Sequence, residues 1–389
     1  MAADDTTPET DLILPDGVYF NMPAAQYHSL RRLSNSAMQK LDKGAAYFWK
    51  DSWLNPDVDD EDTEARRIGR AYHTAVLEPG LLEKLFMPEF DALTMGKGAV
   101  TNATEITAKL EEMGEKGKLK SEKVLDQAKR LAATGFPASK ILHLAAPLYA
   151  KTVGDKTLIP RNTFDDINSD IDAMEQHPDI VKYLRMGYSE VTILWTDEKT
   201  GEKMKARLDR VWETGFSDLK TFTNTLGKRL SQCLSDAIKY NRYHMQMATY
   251  WTALEIWRAG GLHLRGECTA EQIELFKAIT ENPRKMECVW IWQEKKTPNF
   301  LASPMETHKY DVRTHRVNDA GIDEAKSIEI AEKTARPSSW FVRGLNDARH
   351  AIDVYQLAME IYGTDQPWND INPVRKITDD DFSSFWLDE

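Results

Sequence analysis

Glu190-Val-Thr-Ile-Leu-Trp-Thr196, Asp197-Glu-Lys-Thr-Gly-Glu202, Lys203-Met-Lys-Ala-Arg-Leu-Asp-Arg-Val-Trp212, Glu213-Thr-Gly215 and Phe216-Ser-Asp-Leu-Lys-Thr221 follow one another without a break, and their reading decides the fold. The three longer segments are rich in β-branched and aromatic residues, and the two short ones hold turn residues. They predict a three-stranded meander. A long helix is expected next, over roughly Ser231 to Arg258, stopped by Gly260-Gly261. Glu287 to Gln293 then reads as a strand of buried type. Strands alternating with helices predict an α/β chain.

The meander carries Glu190, Asp209, Asp218 and Lys220. Side chains alternate along a strand, so Asp218 and Lys220 share a face. Asp209 lies across a tight turn from them, and Glu190 starts the first strand. Clustered carboxylates repel one another and tend to hold their protons. A hard divalent cation such as Mg²⁺ removes that penalty through oxygen ligands. A lysine beside the cation can orient a water or stabilise developing negative charge. Acid–turn–acid patterns are common on solvated hairpins, but Asp218-Leu-Lys220 sits between Phe216 and Thr-Phe-Thr in a strand that looks buried, where charge needs a partner or a metal. The set is equipment for phosphodiester hydrolysis.

Working outward, Thr63 to Leu77 reads as a helix with Arg66, Arg70, His73 and Leu77 on one face. Gly69 beside them would allow close approach. A lone histidine is most often a core residue, but the neighbouring arginines suit phosphate contacts. On the long helix Arg242, Gln246 and Tyr250 share a face. Its Met, Ala and Trp positions read as packing against the sheet, and Gln246 and Tyr250 are the polar exceptions. Gly17-Val-Tyr-Phe20 reads as a short strand, Ser34-Asn-Ser36 opens a helix, and helices are expected near 120–135, 163–184, 318–334 and 340–362. Residues 1–14 read as disordered. A single domain is expected over 15–375, with a charged insertion at about 93–160. Residues 376–389 form an acidic-aromatic tail, read first as solvated with locally packed aromatics and second as a docking peptide.

The 389 residues are 41% hydrophobic and 29% charged, an ordinary globular composition. No stretch approaches the roughly 20 apolar residues that span a bilayer, and no secretory signal is read at the N-terminus. Cys233, Cys268 and Cys288 are too few and too far apart for a disulfide framework, a structural zinc or an iron–sulfur cluster, and fit a reducing cytoplasm. The net charge of −12 argues against a protein that coats nucleic acid, yet allows an enzyme with a local basic groove.

Four segments together resemble the RecE-type (exodeoxyribonuclease VIII-like) phage exonucleases of the PD-(D/E)xK nuclease superfamily. They are Gly17-Val-Tyr-Phe20 through Tyr27-His28 and Leu33-Ser-Asn-Ser36; Ile68-Gly-Arg-Ala-Tyr-His73-Thr-Ala-Val-Leu-Glu-Pro79; Lys205-Ala-Arg-Leu-Asp209 with Ser217-Asp218-Leu-Lys220-Thr221; and Tyr243-His-Met-Gln246-Met-Ala-Thr-Tyr250. The resemblance implies a mixed central sheet flanked by helices, with helical insertions. It implies Asp209, Asp218, the Leu219 carbonyl and His73 as metal ligands, Lys220 as the catalytic lysine, Gln246 and Tyr250 as the QxxxY pair that positions DNA and water, and Glu190 assisting. Ser36, Arg66, Arg70 and Arg242 are assigned to the 5′-phosphate and DNA backbone. The cofactor would be Mg²⁺ or Mn²⁺, as two ions. The activity would be 5′→3′ degradation of one strand of linear double-stranded DNA, by a ring-shaped homo-oligomer with a RecT-like single-strand-annealing partner. This chain has Asp218 where many such motifs have Glu, a shorter arm. Two other readings stand beside this one: a RecB-type nuclease of other polarity or with endonuclease activity, and a non-catalytic binding protein that reuses the fold.

Overall fold

The computed structural model describes residues 14–58, 62–224, 226–282, 286–295, 299–305, 308–309 and 336–369. The expected helix at 318–334, the tail at 376–389 and residues 1–13 of the expected disordered segment lie outside the described residues. The chain divides into two compact units, Asp62–His177 on one side and Met1–Glu61 with Pro178–Glu389 on the other. The expected insertion at 93–160 falls inside the first of these.

The larger unit opens with β1 (Gly17–Tyr19), α1 (Ala24–Ser29), α2 (Asn35–Lys43) and α3 (Ala45–Lys50). Ser34 caps α2 as expected, its hydroxyl accepting the Ala37 N–H. The unit of Asp62–His177 contains α4 (Glu64–Leu77), α5 (Leu82–Leu85), β2 (Phe86–Pro88), α6 (Ala103–Glu112), α7 (Val124–Ala133), α8 (Leu142–Val153), β3 (Thr157–Ile159) and α9 (Arg161–Glu175). Thr63 caps α4, and Ala71, Tyr72 and Ala75 of that helix bury against Phe86, Ile159 and Ile167. The Tyr72 hydroxyl donates to Asp170 at 3.1 Å, which satisfies two polar groups that burial would otherwise penalise. α6 lies within the charged segment expected at about 93–160.

The larger unit resumes with α10 (Pro178–Arg185), separated from α9 at Pro178, where the sequence pattern predicts one helix over 163–184. Then come β4 (Tyr188–Thr196), β5 (Lys203–Trp212), β6 (Gly215–Phe222), α11 (Leu230–Tyr240), α12 (Tyr243–Arg258), β7 (Leu264–Arg265), α13 (Ala270–Glu281), β8 (Glu287–Glu294), β9 (Asn299–Pro304) and α14 (Ser339–Tyr362). The sheet has seven strands in the order β7-β1-β4-β5-β6-β8-β9. β1 with β7 and β6 with β8 are parallel and the other pairs antiparallel, so the sheet is mixed and flanked by helices, as expected. The meander is β4-β5-β6. Gly187, at φ +62°, makes the entry into β4: a Cβ there would lie 1.8 Å from the Val211 carbonyl oxygen.

The expected long helix is two helices. Arg242 breaks it with a left-handed backbone, φ +52°. A non-glycine residue pays roughly 1–2 kcal/mol for that conformation. Its guanidinium is held by Asp42 at 2.8 Å and lies 3.6 Å from Asp347, contacts that offset the strain. Nothing in Tyr240-Asn-Arg-Tyr243 forbids a helix, so periodicity alone passes over the break.

α12 is buried nearly all round, as a helix apolar on every side must be. Met245, Met247, Ala248, Tyr250, Trp251, Ala253, Leu254 and Trp257 belong to the main core. Trp257 stacks on Phe276 of α13 and meets the edge of Phe20. α14 crosses α12 at Gly344, where a Cβ would fall 2.4 Å from the His244 carbonyl oxygen and 2.9 Å from the Ala248 Cβ. Overpacking of this kind costs about 1–3 kcal/mol. Gly344→Ala is therefore expected to lower the urea midpoint of unfolding by that free energy. An unchanged midpoint would show that the helices separate without cost. Among the described residues, no helix is long and apolar enough to cross a membrane.

Candidate active site

The antiparallel register of β4 and β5 pairs Ser189 with Arg210 and Val191 with Leu208, so Glu190 stands opposite Asp209. β5 pairs with β6 at Arg210–Ser217, and one step further that register sets Asp209 opposite Asp218. Asp218 is in turn paired with Trp290 of β8. Three carboxylates from three adjacent strands thus occupy one rung. The β5–β6 ladder ends at Arg210–Ser217, and beyond it the Asp209 carboxylate itself accepts the Leu219 N–H, at 2.7 Å. In an extended strand the N–H and C=O of one residue point the same way, so the Leu219 carbonyl is directed to the Asp209 side.

Glu190 has a positive φ of 56°, an uncommon conformation for a glutamate inside a strand. It pairs with Arg207, which lies on the same face of β5 as Asp209 and also donates to the Met22 carbonyl. Ligand oxygens of Glu190 and Asp209 come within 4.8 Å of each other. Burial raises the Asp209 carboxyl to about 7. Lys220 opposes that rise, Glu190 adds to it, and the Leu219 N–H and Arg207 oppose it. The donor set is hard oxygen throughout this rung, and burial leaves one member holding its proton near neutrality. These residues fit a divalent cation of the Mg²⁺ type.

Lys220 lies two residues beyond Asp218 on the same face, its ammonium 2.5 Å from Asp218 and 4.7 Å from the centre of the Tyr243 ring. Burial alone would lower this lysine, but Asp218 and Asp209 outweigh it and hold the group above its ordinary value. It is a cation as the site stands, suited to stabilise negative charge more than to take up a proton. Tyr243 rests on Trp290 and Trp292 of β8, so an aromatic floor sets the height of the ammonium. Tyr243 carries no role in the sequence reading, although it opens the fourth matching segment. Its signal was the aromatic residue three positions before Gln246.

α12 brings Gln246 over the rung. Its amide nitrogen donates to Asp218 at 3.1 Å and to the Tyr250 hydroxyl at 2.9 Å. A carboxylate only accepts, so the amide orientation is fixed by Asp218. Burial pushes the Tyr250 phenol well above its ordinary value, with Asp218, Tyr27 and Asp209 adding to the rise. Tyr250 stays neutral and keeps its own O–H to donate. The structure therefore gathers Glu190, Asp209, Asp218, Leu219, Lys220, Gln246 and Tyr250 in one unit.

The remaining assignments lie on other elements. Arg242 is committed to Asp42 and Asp347, as described above. Ser36 is exposed on the first turn of α2, its hydroxyl 2.9 Å from that of Ser34. His73, Arg66 and Arg70 belong to α4 in the other unit. His73 is half-buried and Arg66 exposed. Arg70 is gripped by both carboxylate oxygens of Asp62, at 2.6 and 2.7 Å. A Cβ on Gly69 would meet no other protein atom within 4 Å.

Residues 143–262 match a family model described as a PDDEXK-like domain of unknown function (DUF3799). The match contains the whole rung, Lys220, Gln246 and Tyr250. It supports the PD-(D/E)xK superfamily, a nuclease-type function and the use of a divalent metal. A comparison with curated proteins returned no match.

Cation binding should follow from the crowded charge. Titration calorimetry with Mg²⁺ or Mn²⁺ is expected to show binding that Asp209→Asn or Asp218→Asn weakens at least tenfold. A cation at about 100 times its Kd should stabilise the wild type by about 2.7 kcal/mol. Equal affinity in both variants would separate the rung from the metal.

Proposed function

We propose that this chain is a metal-dependent exodeoxyribonuclease of RecE type, which degrades one strand of linear double-stranded DNA from its 5′ end during recombination. The observation that carries the reading is the single rung of Glu190, Asp209 and Asp218, with Lys220 beside it and Gln246 above it. Asp209, Asp218 and the Leu219 carbonyl would hold the cation, with Glu190 beside them. The helix motif Gly69-Arg-Ala-Tyr-His73 supports His73 as a further ligand. A bound Mg²⁺ or Mn²⁺ supplies Lewis-acid stabilisation and makes water more acidic.

The chain's own residues do the rest. The Lys220 ammonium, fixed between Asp218 and the Tyr243 ring, faces the place where phosphate charge develops. The Gln246 amide and the Tyr250 hydroxyl orient a water or a phosphate oxygen against Asp218. The Gln246–Asp218 bond also keeps the metal-facing carboxylate in one rotamer. A negative total charge suits a ring-shaped homo-oligomer whose basic surface is confined to an inner channel. The resemblance supports such a ring, a RecT-like single-strand-annealing partner and work in the cytoplasm of a bacterial or phage-infected cell.

The test is Mg²⁺-dependent nucleotide release from end-labelled linear duplex, beside a closed circle of the same sequence. Loss of the 5′ label is expected, with the circle spared. Asp218→Ala and Lys220→Ala should each reduce the rate by at least 10²-fold, the scale of one lost electrostatic group. Loss from the 3′ end, or cutting of the circle, would overturn the RecE-type assignment within the nucleases. No hydrolysis of any DNA would overturn the nuclease reading.

A further inference from the structure

We propose that the cleft beyond Lys220 is a binding pocket for an unpaired nucleotide of the DNA strand, with the Tyr240 ring as its stacking platform. The proposal rests on the nuclease reading above and deepens it. The cleft has a volume of about 370 Å³, enough for a small organic group such as one nucleotide. Its walls include Phe222 and Thr223 from the end of β6, and Cys233, Tyr240 and Asn241 from α11 and the joint after it.

Both walls are continuous with the catalytic lysine. Phe222 is two residues past Lys220 on the same face of β6, roughly 7 Å further along the strand. Tyr240 and Asn241 directly precede the joint to Tyr243, the ring beneath the Lys220 ammonium. The joint is rigid. Gln39 donates to the Asn241 carbonyl at 2.6 Å, and Arg242 is fixed by Asp42. A phosphate beside Lys220 therefore delivers the neighbouring nucleotide to this cleft.

The lining chemistry suits a nucleotide. Tyr240 is 69% exposed, a large ring that nothing in its own fold requires at the surface. The Lys239 ammonium lies 5.5 Å from its centre, placing positive charge next to the stacking face. Thr221, Thr223 and Asn241 offer polar groups without reading one particular base. Lys228 reaches Asp236 at 2.7 Å on the wall and can meet a phosphate. An exposed ring beside cations is how single strands are held without sequence preference. A pocket for an unpaired nucleotide also explains how such an enzyme separates the strand it cuts from the strand it leaves.

Cys233 is a free thiol on the cleft wall, and Cys268 provides an internal control. The experiment measures N-ethylmaleimide labelling of both by mass spectrometry in the full-length wild type, with and without saturating oligothymidine in Ca²⁺. Protection of Cys233 by at least fivefold, with Cys268 unchanged, is expected. Stacking on one ring is worth about 1–3 kcal/mol, or roughly tenfold or more in affinity. Tyr240→Ala should lose the protection and raise KM for linear duplex about tenfold, with kcat changed far less. Tyr240→Phe should retain both. If the wild type hydrolyses linear DNA but Cys233 labels at one rate throughout, the pocket is overturned and the nuclease reading stands. If it neither hydrolyses DNA nor shows protection, both fall.

Discussion

Three carboxylates held on one rung of a buried sheet set the terms for the rest of the larger unit. Charge of one sign in a low dielectric is unfavourable, and the protein answers it on every side. Arg207 takes Glu190, Lys220 takes Asp218, and the Leu219 N–H takes Asp209. Asp209 still has its carboxyl raised by burial. Arg207 and Lys220 do not outnumber the three acids, and a rung rich in carboxylates suits a divalent ion. The β5–β6 ladder must end for this to happen, because the Leu219 N–H that Asp209 accepts is one the neighbouring backbone gives up.

The aromatic residues act as the mechanical frame for this charge. Trp290 and Trp292 share rungs with Asp218 and Lys220 through the parallel pairing of β6 and β8. They carry Tyr243, and Tyr243 carries the lysine. α12 is fixed over them by close contact with α14 at Gly344 and by the core around Trp257. The strained turn at Arg242 sets where α12 begins, and with it which of its residues reach Asp218. A long side chain such as Gln246 makes two short hydrogen bonds only when its helix cannot slide. Packing some distance from the chemistry thus decides geometry at the chemistry.

The comparison with known proteins reaches the superfamily and stops there. It spans residues 143–262, which hold the rung, the lysine and α12. α4 with its arginines and the short N-terminal elements lie outside that span. In the proposed reading, metal-assisted hydrolysis belongs to the rung. Polarity, in the same reading, belongs to how DNA would reach that rung.

The sequence by itself determined the meander, the α/β class and the core of the site. Period-two alternation puts Asp218 and Lys220 on one face whatever surrounds them, and a tight turn at Glu213-Thr-Gly215 leaves Asp209 no place but the neighbouring strand. Helical spacing likewise ties Gln246 to Tyr250. These are short-range constraints that backbone geometry transmits without help. The pairing of Glu190 with Asp209 needed the β4–β5 register, which the hairpin length sets but composition does not reveal. Only the tertiary structure decided the break at Arg242, because its left-handed backbone is held by Asp42 and Asp347, some 200 and 100 residues away in sequence. The same is true of Tyr243 as a support for Lys220, and of Arg242 as a joint. A side chain's neighbours across the fold determine its role, and no local pattern carries that information.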